Sequence, residues 1–245
     1  MQVNARSKMK LVNNNRLSGH YKSDIPSGAQ ERDIGSLGAS ASSRTTECVW
    51  WGKVVGRRTY ALDGALTMEI PLKNGERHGR VYCWCVDGVL LSVEPYVDGK
   101  VHGVAKQFDR EGRVIGTYRM RHGTGLDRWY SQRPDGSTYV TELYCMQDGL
   151  RHGYEWWLDD RARLWREVHW QAWEKHGIER HWVRWGRGVR QDKGYPKFWI
   201  RNEQVIRTQY VQACKTDDSL PAYRKEDESQ TRSFPKRIQR LLGIL

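Results

Sequence analysis

Histidine precedes glycine at near-regular spacing in His78-Gly79, His102-Gly103, His152-Gly153 and His176-Gly177. Imidazole ligates zinc and titrates near neutrality, so a column of histidines is a candidate metal or pH-sensing site. Zinc ligands must converge to within ~2.1 Å of the ion. Equivalent residues in neighbouring hairpins lie about 10 Å apart, two strand spacings. These histidines are therefore expected to shape turns and stack on the aromatics of the next unit. Cys83 and Cys85 offer half a zinc set, without a second pair at zinc-finger spacing. The five cysteines, Cys48, Cys83, Cys85, Cys145 and Cys214, are odd in number and not spaced as a disulfide scaffold, which favours the cytoplasm or another reducing compartment. No nucleophile–base–acid set stands out and no phosphate-binding G-x-x-x-x-G-K-[ST] loop is present. The expectation is a chain without catalytic residues, metal or cofactor.

The second group with chemical potential is aromatic and basic. Trp156, Trp157, Trp165, Trp170, Trp182 and Trp185 stand with Arg184, Arg187 and Arg190 in the densest mix of aromatic and basic residues. Sharing one face, they could stack bases and neutralise phosphates. Split between faces, Trp packs the sheet and Arg snorkels over it. These nine residues are the candidate binding surface.

The elements that must position them follow from a repeat. Asn74-Gly75-Glu76-Arg77-His78-Gly79 matches Asp98-Gly99-Lys100-Val101-His102-Gly103, and both match Asp148-Gly149-Leu150-Arg151-His152-Gly153. A period of about 23 to 24 residues marks stacked modules, which form extended binding surfaces more often than single active sites. Short runs rich in Trp, Tyr and Val, bounded by Asp-Gly and Asn-Gly, signal strand, turn, strand. Weaker copies lead from Gly56, Gly125 and Gly194. Roughly seven units then run from Gly56 to Val211. The expected fold is all-β: an elongated single-layer antiparallel sheet of about seven stacked hairpins. A propeller would need about 40 residues per blade.

Tyr96-Val97-Asp98-Gly99-Lys100-Val101-His102-Gly103 and its sisters resemble MORN repeats, and more closely the divergent variant of bacterial antitoxin-type and large-DNA-virus proteins. The resemblance covers the middle two thirds of the chain. It implies a β-hairpin ladder for attachment to proteins or membranes, with no catalytic residues to carry over. The usual Gly-x-Gly is His-Gly here, except at Gly123-Thr124-Gly125.

The ends read differently. Residues 1–47 form a basic arm of disordered composition, with Arg6, Lys8, Lys10, Arg16 and Lys22 before the first carboxylate at Asp24. The repeat domain is expected over 48–213 and a polar linker over 214–231. Residues 232–245 are expected as a short basic amphipathic helix, capped by Ser233 with Pro235 in its first turn. Ile238, Leu241, Leu242 and Leu245 oppose Lys236, Arg237 and Arg240. Such a helix either lies on a partner or anionic membrane, or folds back over the sheet; the second reading is favoured. No apolar run approaches the ~20 residues that span a bilayer. The net charge of +12 and pI near 9.6 suit polyanions, anionic surfaces or acidic protein patches. Twelve Trp and twelve Tyr against three Phe suit a half-wet sheet face, where a ring with a polar edge serves both sides. The sequence favours a scaffold that binds protein, antitoxin- or immunity-like or a structural part of a large particle such as a virion. Electrostatic binding of nucleic acid or anionic lipid is the alternative.

Overall fold

The computed structural model describes residues 19–35, 43–185, 188–229, 234 and 236–242. Strands make up 57% of the described residues, all paired antiparallel where registers are resolved, so the expected all-β hairpin sheet is what forms. The described chain divides into two units, one running up to Gly99 with Phe108–Arg113, the other formed by Lys100–Gln107 and Val114 onward.

The first unit holds β1 (Gln30–Gly35), β2 (Ser43–Trp50), β3 (Lys53–Ala61), β4 (Leu66–Lys73), β5 (Glu76–Arg77), β6 (Gly79–Trp84) and β7 (Leu90–Val97). Consecutive strands pair as hairpins. Tyr82, Trp84, Leu90, Val93 and Phe108 form its core, with Tyr21 and Leu66 packed on them. The segment 19–29 straps this core. Tyr21 meets Tyr82 edge-on at 5.0 Å and donates to buried Glu69 at 3.0 Å. Asp24 pairs with Arg80, and Ile25 lies where a Cβ on Gly56 would fall within 2.3 Å of it. The expected arm over 1–47 is thus too long: a strap and two strands are built from its second half, because Tyr21 and Ile25 have apolar surface to cover and β1 pairs with β2.

The second unit holds β8 (Lys100–Val101), β9 (Gly103–Phe108, its last residue counted with the first unit), β10 (Val114–Arg121), β11 (Thr124–Gln132), β12 (Thr138–Gln147), β13 (Leu150–Leu158), β14 (Leu164–Gln171), β15 (Glu174–Lys175), β16 (Gly177–Trp185), β17 (Gly188–Gln191), β18 (Lys197–Ile200) and β19 (Glu203–Val205). Helices α1 (Arg207–Ala213) and α2 (Lys236–Leu242) follow, with one 3-10 turn at Lys225–Glu228 between them. Phe234 and Ile238 join Leu126, Val140, Leu143, Trp156, Leu158, Leu164 and Trp182 in one cluster. The terminal helix therefore folds back on the sheet, as favoured. The expected linker is also packed: Leu220 and Tyr223 join Ile178, Phe198 and Tyr210.

Two turn types alternate. Among the described residues seven pairs of neighbours have positive φ, among them Asn74-Gly75, Asp98-Gly99, His122-Gly123 and Asp148-Gly149, the geometry of a two-residue type I′ hairpin. At the other strand ends stand five-residue loops such as Cys85–Val89 and Asp159–Arg163. Their ends are bonded N–H to carbonyl, and a left-handed Gly88 or Ala162 closes the turn. The same Asp-Gly dipeptide serves both types. Within the second unit successive I′ turns bond to one another, Gly123 N–H to Val101 O at 2.8 Å and Gly149 N–H to Gly123 O at 3.0 Å. A Cβ on Gly123 would sit 2.3 Å from Gly149 N, so glycine there is fixed by backbone-to-backbone packing as well as by its φ of 74°.

Candidate binding face of the second unit

Side chains alternate between the two faces of a strand, and directly paired residues share a face. The registers Leu143↔Trp156, Trp156↔Glu167 and Glu167↔Arg180 place one row toward α2. Glu142↔Trp157, Trp157↔Arg166 and Arg166↔His181 place the next row on the opposite face. Trp156 and Trp182, expected on the binding surface, are instead core. Trp156 meets Phe234 at 5.7 Å, and Trp182 donates its indole N–H to Glu228 O. The adjacent pair Trp156-Trp157 must split between faces, and only Trp157 goes outward.

On the outer face the rings are half-buried and held by carboxylates. Glu155 accepts from the indoles of Trp157 (2.6 Å) and Trp170 (2.8 Å) and from Arg151 (2.5 Å). Glu179 repeats the arrangement one unit on, accepting from Trp199 (3.0 Å), Lys175 (2.8 Å) and Arg166 (3.1 Å). Burial alone would raise Glu179; Lys175 and Arg166 outweigh it and hold the carboxyl below its usual range. Arg151 lies over Tyr144, Trp173 and Trp170, Arg166 over Trp157, and Lys175 over Trp199. Trp165 stands beside Trp157 (5.2 Å) and His181 (5.8 Å). Gly153 pairs with Trp170 and Gly177 with Trp199, and a Cβ on Gly177 would fall 2.6 Å from His169 Cβ.

An open hollow of about 460 Å³ continues this face, lined by Asp127, Trp129, Glu142, Tyr144, Met146, Arg151 and Trp173. The Tyr144 hydroxyl donates to Glu142. Burial first, and then the charge of Glu155, push Glu142 above the ordinary carboxylate range against the pull of Arg151.

The repeat histidines do structural work by a route the sequence reading did not name. His78 Nδ1 accepts the backbone N–H of Asp98, His102 that of His122 and His176 that of Arg201, at 3.2–3.4 Å. Each imidazole thus ties its own turn to the next. Where Gly-x-Gly replaces His-Gly, Thr124 Oγ1 does the same for Asp148 at 3.0 Å. The ring of His102 instead meets another histidine, His122, at 4.1 Å and tilted by 55°. His152 holds the equivalent place in β13, and Gly79, Gly103, Gly153 and Gly177 all have positive φ. Among the described residues no three His, Cys, Asp or Glu gather as a metal set, and the five cysteines are unbridged.

Of the basic cluster, Arg190 falls on this face by register, opposite Val183 two residues on from His181. Arg184 and Trp185 end β16, opposite Val189 and Gly188; Arg190 is exposed; Arg187 lies outside the described residues. In α2, Lys236 and Arg240 are exposed while Leu242 packs on the core; the side chains of Arg237 and Leu241 are not described, nor are Ser233 and Pro235. Glu155, Glu179, Arg151 and Lys175 were missed, although the sequence carried their signal. Arg151-His152-Gly153-Tyr154-Glu155 and Lys175-His176-Gly177-Ile178-Glu179 repeat cation, His, Gly, any residue, Glu. No protein-family model matches the chain, and no curated protein matches it. No helix among the described residues is long and apolar enough to cross a membrane.

Proposed function

We propose that this chain is a non-enzymatic, MORN-like hairpin scaffold that binds another protein through the outer aromatic face of its second unit. The carrying observation is the contrast between the faces. One is covered by α2 and Phe234, while the other presents Trp157, Trp170 and Trp199 fixed by Glu155 and Glu179, with Trp165 packed on Trp157 and Trp173 beside Trp170. Rings already immobilised lose little entropy on binding, which suits them as interface anchors. What favours protein over nucleic acid is charge. Arg151, Arg166 and Lys175 on this face are paired with carboxylates, and polyanion binding needs cations released toward solvent. Both versions of the scaffold, an antitoxin-like mask and a component of a large particle, rest on this face.

The test is co-purification of the tagged chain from its native source, with Trp157→Ala and Trp165→Ala beside it. One dominant protein, retained at moderate salt and lost roughly 30-fold in either variant, is expected, as for anchor residues worth about 2 kcal/mol or more. Recovery of nucleic acid or lipid alone, released as salt rises, overturns the reading in favour of electrostatic binding.

A further inference from the structure

Toward β16 and β18 the outer face of the second unit carries a run of touching rings, one of them an oriented imidazole. Trp157 meets Trp165 at 5.2 Å, Trp165 meets His181 at 5.8 Å, and His181 meets Tyr195 at 5.5 Å. His181 Nδ1 lies 3.0 Å from Asp192 Oδ2. A carboxylate only accepts, so Nδ1 carries the proton and Nε2 is left for another group. Among the described residues Nε2 has no hydrogen bond, and 26% of the side chain is exposed. The bond to His181 is also the main reason that the Asp192 carboxyl stays below its usual range.

Charges face this imidazole from each strand around it. Arg166 lies opposite His181 on β14 and Glu179 two residues back on β16. Arg190, exposed, and Asp192 lie on the β17 side, and Lys197 lies opposite Glu179 on β18. Glu179 is taken up by Arg166, Lys175 and Trp199, and Asp192 by His181. Lys197 is left beside a ring instead of a carboxylate, its ammonium 4.7 Å from the Tyr195 centroid. Protonation of His181 adds a cation and turns Nε2 into a donor, so the group that completes the site is an anion. A nucleic-acid backbone brings anions in series. Across the same row it would meet Glu142, opposite Trp157, and then Glu155. A single carboxylate between apolar side chains meets the cation and the rings together.

We propose that His181, oriented by Asp192, is the specificity-determining residue of the outer face. With Lys197 it takes an aspartate or glutamate side chain of the protein partner, while Trp157, Trp165 and Tyr195 take the apolar side chains on either side of that carboxylate. Histidine changes charge between pH 5 and 8, so the contact tightens as pH falls through that range. The inference rests on the outer face being the binding surface, and it names the chemistry of the partner.

The experiment titrates the full chain, at about 0.15 M salt, into three fluorescently labelled probes followed by anisotropy at pH 8 and pH 6. The first is a blocked peptide of four Leu-Asp-Ser units, the second its counterpart with Asn for Asp, and the third a thymidine dodecanucleotide. The acidic peptide should bind at least roughly tenfold more tightly than the amide peptide, and more tightly at pH 6 than at pH 8. His181→Gln should abolish the pH step and leave the affinity at pH 8. Lys197→Met should weaken binding at both. Asp192→Asn keeps the ring but removes the anion that favours its protonated form, so the step should move to lower pH. Equal affinity for the two peptides overturns the proposal, as does a pH step that survives His181→Gln. Tighter binding of the oligonucleotide than of the acidic peptide overturns it in favour of a nucleic-acid face. If no peptide binds while partner capture through Trp157 and Trp165 persists, this inference falls and the scaffold reading stands.

Discussion

Glu167 and Arg180 are the most costly pair of side chains in the second unit. Both are about 1% exposed or less, and they meet at 2.6 Å, with the Trp156 indole donating to the other carboxylate oxygen. A buried pair gains little over an apolar one, but removing one partner strands a charge. Glu167→Ala should therefore cost about 3–5 kcal/mol in denaturant unfolding. Converting the pair to Glu167→Leu with Arg180→Met should recover most of that; a single variant as stable as the parent contradicts the buried pairing. His169 sets a pH dependence. Burial, the largest cause, lowers its pKa, opposed by its bond to the His176 carbonyl, with the charges of His176 and His152 lowering it further. The folded state disfavours the protonated ring, so its stability contribution is complete above the unfolded value near 6.5 and is lost as pH falls through the lower folded value. Melts between about pH 7.5 and 5 should show a falling Tm that His169→Gln flattens. An unchanged slope in the variant means that another group carries it.

At the scale of the element, the I′ turn edge is the least tolerant part of the repeat. Gly123→Ala must strain a φ of 74° and push its Cβ into Gly149 N at 2.3 Å, where no side chain can give way. Gly136, also at positive φ, has nothing within 4 Å and meets only the backbone preference. Gly→Ala should cost about 1 kcal/mol at Gly136 and clearly more at Gly123 in equilibrium unfolding. Equal costs would show that the stacked turns can part. This difference was not legible in the sequence, where both glycines simply end a turn. The hairpins, their period and the terminal helix were legible, because Asx-Gly turns and aromatic runs are local signals. The face was half legible. Alternation alone forbids Trp156 and Trp157 from sharing a side, but which side is buried depends on Phe234 and Ile238, almost eighty residues on. The His-to-backbone ties were hidden for the same reason: the acceptor is a side chain in one unit and the donor an N–H in the next.

For the whole molecule, the chain covers each unit with sequence from one of its ends. Residues 19–29 strap the first unit, and Phe234 with α2 closes the second. In repeat proteins each module contacts chiefly its neighbours, so damage decays along the array instead of unfolding it all at once. Ile238→Asp places a charge among Leu143, Trp156 and Leu164, a substitution that core burial makes severe. Amide exchange should then accelerate in β12–β14, whose inner row lies under α2. Exchange in β2–β4 should hold near parent rates. Ile25→Ala, which empties the space above Gly56, should do the reverse. If the units unfold separately, the stability costs of the two single variants add within about 0.5 kcal/mol in the double variant. If either variant accelerates exchange equally everywhere, the chain unfolds as one cooperative body. The terminal segments would then hold the entire repeat together rather than the unit each one covers.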